Sequence, residues 1–179
     1  MKRLTFIALL VALAPAWGSY LIPMDSAQTD HLKAYGVAYW VLAQGCDCEW
    51  LLNYRGGSWL TPDVPGLAEL AAVRGVTLQP VDLGAEAAIR ATIETGNMDS
   101  VLLEKAPLVA IYAPSTYEPW DDAVMLALTY AEIPYKQIWD AEVLAGELDR
   151  FDWLHLHHED FTGQYGKFSR SEGQAEWFR

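Results

Sequence analysis

The sequence predicts an α/β protein built on a doubly wound, mostly parallel sheet, and three observations carry that expectation. Short apolar runs alternate with longer segments bounded by helix start and stop signals. Each helical segment separates two strand candidates, which is the pattern of βαβ units. One run, Leu108 to Tyr112 (LVAIY), reads as a central strand of such a sheet.

Taken in order, Ser19 to Met24 reads as a first strand entering the polar loop Asp25 to Asp30. Thr29 or Asp30 can cap a helix from His31 to Gln44, with Gly45 ending it. Leu32, Tyr35, Tyr39 and Leu42 give that helix an amphipathic spacing. Trp50 to Tyr54 (WLLNY) reads as a strand covered on both faces, followed by the turn Arg55-Gly56-Gly57-Ser58. Pro65 to Arg74 makes a second helix stopped by Gly75, Thr77 to Val81 a third strand, and Ala85 to Glu94 a third helix. Gly96 to Ala106 reads as a connector. After the LVAIY strand, Trp120 to Ala131 is a helix with Asp121 and Asp122 in its first turn, where the helix dipole favours acids. Tyr135 to Trp139 is a strand, Glu142 to Gly146 a helical turn, and Trp153 to His157 the last strand. A doubly wound sheet should then send a covering helix back, and only Ser169 to Arg179 remains, so either the fold is small or the chain is the front part of something longer.

The bulk numbers exclude some classes. The 179 residues carry a net charge of −12, which argues against nucleic acid and against anionic membrane surfaces as partners. Eight Trp and nine Tyr serve core packing or form a platform for a polar ligand. Lys2 and Arg3 precede an apolar run, Leu4 to Ala14, that is too short to span a bilayer, and small residues follow. Residues 1–18 therefore read as a secretory signal peptide, leaving residues 19–179 as one periplasmic or secreted α/β domain with no membrane contact after cleavage. Cys46 and Cys48 sit as C-x-C in a turn, where a disulfide would close a strained ring, so free thiols are expected.

Polar clusters recur at the expected strand ends, as one rim site would require. His155-x-His157 places two imidazoles on one strand face, and His158, Glu159 and Asp160 follow directly. This loop reads in three ways: as a polar loop holding its own backbone, as a divalent-metal site, or as the acid–base groups of a catalytic site. Neither helical H-E-x-x-H nor H-x-H-x-D-H spacing is present. Arg55 with Gly56 and Gly57 reads as a turn with left-handed glycines, or as a grip for a carboxylate or phosphate. Asp25, Asp121 and Gln164 complete the candidate contacts to a small polar or anionic ligand. No G-x-S-x-G elbow occurs.

Four stretches, IPMDSAQTDHLKAYGVAYWVL, LLNYRGGSW, PWDDAVMLALTYAEIPY and DWLHLHHEDFTGQYGKF, carry a resemblance to exported bacterial asparagine synthetase B-like proteins. It covers nearly all of the expected mature chain and is weakest between Pro62 and Met98. The resemblance implies a flavodoxin-like sheet, similar to class I glutamine amidotransferases, with the nucleophile of the longer relatives lying past Arg179. It does not extend to the reaction in the family's name: Lys2 stands where glutamine-dependent asparagine synthetases have a catalytic cysteine, and their S-G-G-x-D-S loop is missing. The expected function is an amidotransferase-like or hydrolytic protein using His157, His158, Glu159 and Asp160. The alternative is a periplasmic binding or interaction module without chemistry.

Overall fold

The computed structural model describes residues 18–156. Almost all of the expected signal peptide, and His157, His158, Glu159, Asp160 and Gln164, lie outside the described residues. The fold is α/β, with two sheets rather than one. The first is formed by β1 (Ser19–Ile22), β2 (Cys48–Leu52), β3 (Ser58–Pro62), β4 (Gln79–Val81) and β5 (Asp99–Leu103) in the order β4-β1-β3-β2-β5. Every pairing in it is antiparallel. The second sheet is parallel, with β6 (Val109–Tyr112) between β7 (Tyr135–Ile138) and β8 (Trp153–Leu156).

The mostly parallel expectation therefore fails for the first sheet, and the reason is a hairpin. β1 and β2 run in the same direction, because each is antiparallel to β3. Helix α1 (His31–Ala43) connects them as a crossover helix should, but β3 turns back through Asn53 to Gly57 and fills the gap. β3 is hidden in the sequence because it begins at the last residue of the RGGS turn and ends on Pro62. β5 was the other missing strand; it is an edge strand with Val101 and Leu102 exposed, so it lacks a buried apolar stripe.

Helices cover both faces of the first sheet. α1 and α2 (Leu67–Arg74) pack on one face, burying Val37, Val41 and Leu67 against Ile22, Cys48 and Trp59. α3 (Leu83–Thr95) lies on the other face, where Ile89 meets Leu21, Leu51, Leu60 and Val81. Fully buried aliphatic side chains such as Ile22, Leu51 and Leu67 contribute roughly 1.5–3 kcal/mol each. In the second sheet, Val109, Ile111 and Ala113 pack under Met125 and Leu128 of α4 (Ala123–Ala131). α5 (Asp140–Leu144) follows β7 on the opposite face, where Tyr112 stacks on Trp139 at 4.4 Å and its hydroxyl donates to Asp140 at 2.6 Å.

The helix signals held well. Asp30 caps α1 by accepting from the Lys33 amide at 2.9 Å, and Gly45 follows the helix with φ 76°. Gly75, at φ 68°, stops α2. Two readings need correction. Asp121 belongs to a separate 3-10 turn, Pro119–Asp121, and Asp122 alone caps α4. In α1 the buried stripe is Ala34, Val37, Ala38 and Val41, while Leu32 and Tyr35 are exposed. α1 is covered on two sides, by the first sheet and by α4, so its sequence is apolar nearly all round.

Candidate functional site

The carboxyl ends of β1 and β2 leave the first sheet on one edge, side by side across β3. There the sequence-predicted Asp25, Arg55, Gly56 and Gly57 do meet. Arg55 donates from Nε to Asp25 Oδ2 at 2.6 Å and from Nη2 to Asp25 Oδ1 at 3.1 Å. Its third bond runs from Nη1 to Gln79 Oε1 at 2.6 Å. This forked geometry, with the Ala27 amide also donating to Asp25, holds the Asp25 carboxyl below the usual carboxylate range. His31 Nε2 approaches the Met24 and Asp25 carbonyls at 3.2 Å each. The hairpin turn is wound left-handed at Asn53, Arg55, Gly56 and Gly57, and the Met24 amide donates to the Arg55 carbonyl at 3.2 Å. The Arg55 fork is thus closed on Asp25, and this cluster acts as a clasp between the loop after β1, the hairpin turn and the start of β4.

A second polar group lies at the carboxyl edge of the parallel sheet. Asp122 is buried; its Oδ1 accepts from the Val124 and Met125 amides at 2.8 and 2.9 Å. Its Oδ2 faces His155 Nε2 at 3.4 Å, a long contact between the cap of α4 and the edge strand β8. His155 stands opposite Ile111, one residue short of the end of β6. Nearby, the ends of β6 and β7 enclose a crevice of about 120 Å³ lined by Ala113, Ser115, Gln137, Ile138, Trp139 and Glu142. Gln137 donates to the Pro114 carbonyl, and Glu142 takes the Trp139 amide at 2.9 Å, so the crevice walls are fixed by their own backbone. Asp121 accepts from the Glu118 amide at 2.9 Å and serves as a turn cap.

The two clusters do not form one rim. Tyr130, in the last turn of α4, donates to Asp30, whereas Asp122 caps the first turn. Eight helical residues separate the two ends, about 12 Å. Among the described residues no group of three or more His, Cys, Asp and Glu side chains is placed to hold a metal ion. Both cysteines are free, as expected, but Cys48 is no turn residue: it opens β2 in the core, and burial pushes its thiol up to about 12. Among the described residues no helix is long and apolar enough to cross a membrane.

Sequence reasoning missed Gln79 and the Asp122–His155 pair. The partners in the pair are 33 residues apart, and no spacing links them. Each partner was readable by itself, His155 as a strand imidazole and Asp122 at a helix start, a signal that described Asp121 equally well. Comparison with protein families, with curated proteins and with solved structures finds no match in any of the three.

Proposed function

We propose that this chain is an exported protein similar to the asparagine synthetase B-like family, with an amidotransferase-like or hydrolytic site at the carboxyl edge of its parallel sheet. The observation that supports it is the strand order β7-β6-β8. Counted within that sheet the order is 2-1-3, with which a flavodoxin-like doubly wound sheet opens, and it puts a topological switch point between β6 and β8. Ligands of open α/β sheets bind in the crevice outside such a point. The Asp122–His155 pair spans that gap, one partner on the cap of α4 and the other on β8. An ionised Asp122 accepts from Nε2–H and leaves His155 Nδ1 as the acceptor, which is the arrangement of an oriented general base or ligand contact. His157 to Asp160 follow β8 directly in the sequence and are the further donors of this reading. The ligand in this reading is small and polar or anionic.

The test is a thermal melt of the exported form with L-glutamine, L-glutamate and L-aspartate, alongside an assay for ammonia release from glutamine. A ligand at a hundredfold its Kd should raise the melting temperature by about 5–10 °C. His155→Ala should remove that rise while leaving the ligand-free melt nearly unchanged. Ammonia release would mark the enzyme, and a shift without release the binding module. No shift with any of the three ligands would sink the proposed site.

A further inference from the structure

The opposite sheet carries a feature that the strand-end reading leaves unused. α3 should cover its face of the first sheet with the stripe Glu86, Ile89, Arg90 and Ile93, which share one helix face. Ile89 and Ile93 do pack on Leu21, Leu51, Leu60 and Val81. Glu86 and Arg90 do not pack as core residues. They meet Glu49, which projects from β2 on the same face, between its cross-strand partners Leu60 and Leu102. Arg90 donates to Glu49 at 2.8 and 3.0 Å and to Glu86 at 2.7 and 3.1 Å. Ser100 supports Glu49 at 2.7 Å and Ser19 supports Glu86 at 3.3 Å.

Three ionised groups thus stand where a sheet-covering layer calls for apolar ones. Arg90 is 45% exposed, and ion pairs open to solvent contribute little to stability, so the arrangement is not explained by stability. Local breaks of this kind concentrate at functional sites. The result is an open groove of about 480 Å³, within the size range of ligand sites. Its floor holds Leu60, Pro62 and Leu102, and Asp47 stands at its rim. Asp47, Glu49 and Glu86 against Arg90 leave the lining at −2. The side chains of Glu49 and Glu86 are 25% and 24% exposed, so each carboxylate is fixed yet reachable. Among the described residues Glu86 Oε2 accepts only the long Ser19 bond, with room for another donor.

We propose that this groove is a binding site for a small aliphatic amine, its ammonium held by Glu86 and Asp47 and its carbon chain lying on Leu60, Pro62 and Leu102. The site is independent of the strand-end site and stands or falls without it.

The test is calorimetric titration of the exported form with putrescine, spermidine and ammonium chloride at low ionic strength. Saturable one-to-one binding of putrescine or spermidine is expected. Glu86→Gln and the exposed Asp47→Asn should each weaken it about tenfold, as loss of a charged hydrogen-bond partner does. Glu69→Gln, on the exposed side of α2, should leave it unchanged. Absence of saturation, or equal weakening by Glu69→Gln, would reduce the effect to general attraction by a chain of net charge −12 and overturn the proposal. Ammonium binding as tightly as the diamine would overturn the role of the apolar floor.

Discussion

At the scale of single residues, the hairpin turn after β2 shows how a backbone conformation fixes the placement of side chains. Gly56 has φ 84°, and a Cβ there would lie 2.4 Å from the Met24 carbonyl oxygen and 2.7 Å from its carbon. Neither atom can retreat easily, because Met24 donates to the Arg55 carbonyl and β1 pairs with β3 just before it. Gly45 makes the useful comparison: its φ is 76°, yet nothing lies within 4 Å of its virtual Cβ. Gly45→Ala should cost about 1 kcal/mol, from left-handed strain alone. Gly56→Ala adds an overlap with fixed backbone and should cost about 2–4 kcal/mol. Denaturant unfolding of the two variants measures the difference; equal losses would mean that the loops do not touch as described. The same turn carries Arg55, so Gly56→Ala should also loosen the Asp25 clasp.

Among the elements, the contact between α1 and α4 joins the two sheets. A Cβ on Gly36 would fall 1.8 Å from the Ala131 carbonyl oxygen, so the helices cross at a distance that only glycine permits. Around the crossing, Glu132 at the end of α4 pairs with Lys33 at 2.7 Å and with Arg74 at 2.6 Å. Gly36→Ala decides the matter by sign. In a helix free of such a neighbour the change stabilises by about 1 kcal/mol. With α4 in place it forces the helices apart and should cost about 1–3 kcal/mol net. A rise in melting temperature would remove the crossing. The helix ends were legible in the sequence, since Asp30, Gly45 and Gly75 act locally. The buried stripe of α1 was not, because Leu32 and Tyr35 fit an amphipathic period that a helix covered on two sides does not need. The hairpin return of β3 escaped for a similar reason: a strand that starts inside a glycine turn and ends on Pro62 has no room to show alternation. For the site, Asp25 and Arg55 were readable as ends of two strands on one edge. The Asp122–His155 contact depends on how β8 docks beside β6, which no local pattern states.

For the whole molecule, the ion pairs and caps that connect elements set the acid limb of stability, and one buried thiol contributes to the alkaline limb. Asp25 is held down by Arg55, Asp30 by the Lys33 amide, Glu49 by Arg90, Glu132 by Lys33 and Asp152 by the Leu108 amide. Each carboxyl titrates lower in the folded chain than in the unfolded one. Their stabilisation is fully present above the unfolded values, about 4, and is lost as pH falls through the lower folded values. Cys48 behaves in the opposite sense. Its folded value, about 12, lies above the ordinary 9.0, so the unfolded chain releases that proton first. Stability should therefore fall as pH rises from about 9 towards 12, by up to roughly 4 kcal/mol for a shift of this size. Cys48→Ala lowers stability at neutral pH by removing a buried sulfur, but it abolishes this titration. Urea unfolding of both proteins from pH 7 to 11 separates the two effects: the wild-type curve should decline more steeply above pH 9, so that the two converge. Parallel curves across that range would show that the Cys48 thiol is open to solvent, and the packing of β2 beneath α1 would have to be redrawn.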